Sequence, residues 1–134
     1  MKINKEEFED VTREEAFNLL LIKRTKVKME KNLLNAERNV YKAVNKFVNN
    51  DEMIKLGSWQ NIRYSLLEQI DAHLNLAIRY LRTYEIDSIA MSYLKNCINL
   101  NKQLHEKNTD EYFVGLKDKY IENAYKYIPE EKLV

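Results

Sequence analysis

The chain has 134 residues, 45% hydrophobic and 32% charged, with a net charge of +1, two glycines, one proline and one cysteine. That size suits one domain with a buried core, and so little Gly and Pro leaves scant material for the tight turns of a β-sandwich or barrel. The near-zero charge excludes the overall electrostatic footprint of a strongly basic nucleic-acid binder, so any such role must rest on a local patch.

Cys97, the only cysteine, excludes an intrachain disulfide and a multi-cysteine zinc site. It agrees with a reducing, cytoplasmic setting and reads as a small core residue. The longest apolar run, Leu19-Leu20-Leu21-Ile22, is far short of the ~20 residues that cross a bilayer. No membrane span is expected.

Residues 1–11 are polar and acidic and read as a frayed end. Thr12-Arg13-Glu14-Glu15 supplies a capping box that opens helix one. From Glu14 to about Val48 apolar residues recur at helical spacing without Gly or Pro, with a gap between Ile22 and Val27 where Lys23, Arg24 and Lys26 intrude. The pattern predicts one long helix, or two shorter ones broken near Thr25. Gly57 and Ser58 read as a stop and a cap, so helix two is expected from Trp59 to about Tyr84, with the broadest apolar face of the set.

Asp87 caps helix three, in which Ile86, Ala90, Tyr93, Cys97, Leu100 and Leu104 form a helix-packing seam. Asn108-Thr109-Asp110 precedes helix four, which is expected to run to Pro129, with residues 130–134 frayed. The expectation is a single all-α domain over residues 1–134: an up-down bundle of about four helices with a long first helix.

Catalytic and cofactor chemistry finds little footing. There is no Glu-x-x-His step for a di-iron bundle and no Gly-rich phosphate loop. His73 reads as a packing residue and His105 as a helix-end charge. Neither enzyme activity nor a metal or cofactor is expected.

Two surfaces of helix one carry a pattern. Wound at ~100° per residue, Arg24, Lys28, Lys31, Arg38, Lys42 and Lys46 share one arc, a strip that could track phosphates. Helix one also reads as longer than its neighbours. Its overhanging start would expose Phe17, Leu19, Leu20, Leu21 and Ile22, a cluster that suits a protein partner or self-contact. The stretch Leu56-Gly57-Ser58-Trp59-Gln60-Asn61-Ile62-Arg63, set among helices in series, faintly resembles small four-helix proteins encoded in ribosomal RNA intervening sequences and related accessory proteins of diversity-generating retroelements. The resemblance leans toward nucleic acid and assigns no residue.

The functional expectation is therefore a non-enzymatic interaction or assembly protein, such as a small subunit of a larger complex or a phage or mobile-element factor. The alternative is a nucleic-acid-binding accessory protein that uses the basic strip.

Overall fold

The computed structural model describes residues 2–132 and shows an all-α, up-down helical bundle with no strand among them. Helix α1 spans Arg13–Asn45, α2 Asp51–Leu81, α3 Ser88–Asn108 and α4 Glu111–Lys117. Helix α1 starts where the capping box predicts, with the Thr12 hydroxyl accepting from the Glu15 amide at 3.1 Å. It then runs unbroken through Thr25. Lys23 fills the gap in the apolar pattern: it is buried on the inner face, between Leu20 and Val27. The Thr25 hydroxyl returns to the Leu21 carbonyl at 3.1 Å, which satisfies it inside the helix.

Cross-links between helices fix their directions. Along α1, Arg24, Lys31, Arg38 and Tyr41 meet Asn75, Asp71, Asn61 and Met53 in turn, descending α2. Along α2 and α3, Trp59 meets Lys107, Ile70 meets Cys97 and Tyr80 meets Asp87. Both neighbouring pairs are antiparallel, and α2 lies between α1 and α3 with the largest set of buried side chains. This matches the broad apolar face expected of helix two.

Three sequence expectations need correction. Helix two begins at Asp51, capped by the Asn50 side chain accepting from Met53 at 2.9 Å, and passes straight through Gly57 and Ser58. Gly57 serves packing. A Cβ there would stand 2.5 Å from the Tyr41 hydroxyl oxygen, whose proton goes to the Met53 carbonyl. With 31 residues, α2 nearly equals the 33 of α1, so no turn of α1 overhangs.

The amino-terminal segment is not frayed over the described residues. Lys5–Phe8 form a 3-10 turn, and Ile3 and Phe8 are buried in the same core as Leu20, Leu74 and Leu94. Lys23 straps this segment down by donating to the Lys2 carbonyl and to Glu7 Oε1, the latter at 3.0 Å. Asp10 then turns the chain into α1 through left-handed backbone, φ 54°. At the other end Glu130–Lys132 also form a 3-10 turn, while residues 133–134 of the expected frayed tail lie outside the described residues.

Helix four is the third correction. After the seven residues of α4 the chain widens into a π turn, Asp118–Glu122, and a 3-10 turn, Ala124–Lys126, in place of one helix to Pro129. The adjacent residues Tyr120 and Ile121 are both buried. The Asn123 side chain closes the turn, its Nδ2 donating to the Asp118 carbonyl at 2.6 Å. Because α3 has only 21 residues, it stops opposite Trp59 and leaves one end of the α1–α2 pair uncovered. Helix α4 and the π turn cover it, forming a second cluster from Val44, Met53, Leu56, Trp59, Leu116, Tyr120 and Ile121.

Gly57→Ala should lower stability by about 1 to 2 kcal/mol despite better helix propensity, because the methyl overpacks Tyr41. Adding Tyr41→Ala should make the double variant less unstable than the summed singles. Urea titration reads both, and a Gly57→Ala chain as stable as the parent would refute the packing role.

The strap predicts a pH effect. Burial pushes the Glu7 carboxyl up, but the Asn4 amide and the bond and charge of Lys23, helped by Lys26, outweigh it and hold the group below its ordinary 4.5. A depressed carboxyl contributes stability that is complete above the unfolded value near 4.5 and is lost as pH falls through the lower folded value. Between about pH 5 and about pH 3 the parent should therefore lose more stability than Glu7→Gln. Equal losses in denaturant titrations would show that the strap does not contribute.

Candidate functional site

The helices leave an open cleft of about 590 Å³ between the later half of α1, the middle of α2, the end of α3 and the π turn. Leu34, Leu67, Leu104 and Ile121 form its floor, and Leu33, Ala36 and Val40 of α1 form one lip. Its wall is polar and mostly charged: Glu30, Glu37, Arg63, Lys117, Glu122 and Asn108 line it.

Glu37 organises that wall. It occupies an inward position on α1, between Leu34 and Tyr41, and its side chain is only 9% exposed. Arg63 Nη1 donates to Glu37 Oε2 at 2.7 Å, Gln60 Nε2 donates to the same oxygen at 3.4 Å, and Lys117 Nζ stands 3.5 Å from Oε1. The guanidinium of Arg63 lies over the Trp59 ring, 4.1 Å from its centroid, and Arg63 Nε donates to Asn108 Oδ1 at 2.7 Å. Trp59 stacks on Phe113 at 5.4 Å, and its indole N–H donates to the Lys107 carbonyl at 2.9 Å. One carboxylate thus ties together α1, α2, the end of α3 and the exit of α4.

A short polar cluster closes the same end of the bundle. Tyr120 donates to Glu52 Oε1 at 2.6 Å and Lys119 bonds the same oxygen at 2.9 Å. The Tyr120 and Lys119 hydrogen bonds hold the Glu52 carboxyl below its ordinary range. Within the cleft Glu37, Arg63 and Lys117 are committed to one another, which leaves a shaped, mixed surface.

No family model matches the chain, and no curated protein or solved structure is similar to it.

The residues singled out from the sequence separate in the structure. Leu20 is fully buried against α2, and Phe17, Leu19 and Leu21 are half-buried on the same core. Of that cluster only Ile22 faces outward, at 54% exposure. The basic strip divides too. Arg24 donates to Asn75 at 3.3 Å, Lys31 stands 4.0 Å from Asp71, and Arg38 donates to Asn61 at 3.2 Å while its guanidinium lies over the Tyr64 ring. Lys28, Lys42 and Lys46 remain exposed. Cys97 is buried, and burial pushes its thiol up to about 12. His73 is half-buried, but its Nδ1 is enclosed without a hydrogen-bond partner.

Sequence reasoning passed over Glu37 and Arg63. The signal was present: Leu34, Glu37, Tyr41 and Val44 recur at three, four and three, which places a carboxylate at a core position.

Breaking the Glu37–Arg63 pair leaves a poorly solvated charge, so Glu37→Ala should cost about 3 kcal/mol. Replacing both partners with apolar residues, Glu37→Leu with Arg63→Met, should cost much less. Urea unfolding followed by Trp59 fluorescence measures both, and a double variant as unstable as Glu37→Ala would sink this assignment.

Proposed function

We propose that the chain is a non-enzymatic interaction or assembly protein, a small subunit of a larger complex or a factor of a phage or mobile element. Its contact surface is the outer face of α1 beside the cleft. The observation that carries this reading is the exposure of Ile22, Met29 and Leu33, at 54%, 60% and 70%, on one line of one helix. Large apolar groups aligned in water favour a partner, since covering them recovers about 25 cal/mol for each Å² removed from solvent. The pairing of Glu37 with Arg63 and Lys117 inside the cleft supports a contact role over a chemical one.

This surface keeps Ile22 from the cluster read in the sequence and replaces the buried Leu20 with Met29 and Leu33. The nucleic-acid reading now rests on the exposed Lys28, Lys42 and Lys46, because α2 engages the other three basic residues. Three separated lysines can contribute only a few salt-dependent phosphate contacts.

Affinity capture from a native-host lysate separates these readings. The parent chain should retain a protein partner through nuclease treatment, and a folded Met29→Glu, Leu33→Glu variant should lose it. Equal recovery by both chains would overturn the proposal. Recovery abolished by nuclease and by Lys28→Glu, Lys42→Glu would replace it with the nucleic-acid role.

A further inference from the structure

We infer that the cleft is a binding site for a small, uncharged aliphatic molecule carrying a hydroxyl group, its chain on the leucine floor and its hydroxyl at Lys117. The inference is independent of the contact role proposed for α1.

The shape of the recess sets the size of its occupant. Helices α1 and α3 both pack on α2 and scarcely on each other, which leaves a gap between them. Toward the start of α1 the amino-terminal strap fills that gap with Ile3 and Phe8, and Val27, Ile70, Leu74 and Leu94 beneath are fully buried. Toward the other end the π turn closes it with Ile121 and Glu122. What stays open runs along α1 from Glu30 to Val40, ten steps or about 15 Å. Its floor is deep, with Leu34 4% exposed and Leu67 and Leu104 3% exposed. A recess blocked at both ends, with so deep a floor, does not admit a helix ~10 Å across. Its volume of about 590 Å³ falls within the range of about 300 to 1,000 Å³ that small ligands occupy.

The floor and lip set the body of the ligand. Every apolar side chain that lines the cleft, among the described residues, is aliphatic. That suits an alkyl chain and gives a nucleobase or other flat ring no aromatic face to stack on.

The wall sets the polar end. Arg63 answers Glu37 at 2.7 Å, Lys117 stands between Glu37 and Glu122, and Glu30 at the opposite end is engaged as well. Beside the floor two carboxylates therefore balance two cations. A charged ligand would have to break into one of these pairs and leave its partner poorly compensated, whereas an uncharged one leaves both intact. The spacing also leaves room for a hydrogen-bonding group. Lys117 Nζ is 3.5 Å from Glu37 Oε1 and 4.0 Å from Glu122 Oε1, beyond the ~2.7 to 2.9 Å of a close charge-assisted bond. A hydroxyl can accept from the ammonium and donate its one proton to either carboxylate. A plain hydrocarbon can do neither.

Nuclear magnetic resonance titration with 1-octanol near neutral pH tests the site. The methyl signals of Leu34, Leu67, Leu104 and Ile121 should shift together, with half-saturation at about 0.1 to 1 mM. Octanoate and octylamine, which carry a charge on a similar chain, should bind at least about five-fold more weakly. Lys117→Met keeps the Glu37–Arg63 pair and leaves the wall one carboxylate in excess. In that variant octanol should weaken about three- to ten-fold and octylamine should become the tightest of the three.

No shift at ~2 mM octanol overturns the proposal, as do shifts centred on the exposed Ile22 and Met29 in place of the floor. Tighter binding of octanoate or octylamine by the parent overturns the assigned ligand class. An unchanged head-group order in a folded Lys117→Met chain overturns the placement of the hydroxyl. The parent's own head-group order decides the class even where that variant loses its helical signal.

Discussion

Glu37 sits where helical spacing assigns the core, and a carboxylate in that position must be given donors. The donors come from every direction the bundle has: Arg63 and Gln60 from α2, and Lys117 from the exit of α4, with Asn108 at the end of α3 holding Arg63 in place. Satisfying one largely enclosed charge therefore fixes the register of α1 on α2 and the point where α3 must stop. It also fixes the approach of α4. An all-apolar α1 could slide by a turn along α2 at modest cost, whereas a displaced α1 would leave Glu37 and Arg63 buried apart.

The same requirement explains why the bundle has two cores. Helix α3 ends opposite Trp59, and the remaining length of α1 and α2 needs another cover. Helix α4 is too short to supply it alone, and the π turn lets Tyr120 and Ile121 both face inward. The cleft lies at the junction of these two cores. Its apolar floor and charged wall are products of the same constraint that closes the bundle.

Much of this is legible in the sequence. The scarcity of Gly and Pro points to the all-α class, and periodicity locates four helices and the breadth of α2's buried face. The Thr12, Asp87 and Asp110 caps fell where their side chains predicted. What failed did so for tertiary reasons. Gly57 looks like a helix stop until Tyr41, sixteen residues earlier, is seen to need its missing side chain. Lys23 looks like a break until the Lys2 carbonyl and Glu7 are found to satisfy it from the amino-terminal strap. The apolar start of α1 looks like an overhang until the far end of α2 is found beside it, with Arg24 on Asn75 and Leu20 in one core with Leu74 and Leu81. Local rules saw each residue; its partner lay elsewhere in the chain.

Helix α2, packed on both α1 and α3, has a consequence for how this sequence can change over time. Helix α1 has six buried residues and α2 has eleven, so more substitutions on α2 meet a packed neighbour. Its pattern of Met53, Leu56, Trp59, Gln60 and Arg63, followed by the Leu66-to-Leu81 run, must be kept or exchanged in concert with α1 and α3. Distant relatives would keep their likeness longest along α2, while the surface of α1 diverged with each lineage's partners.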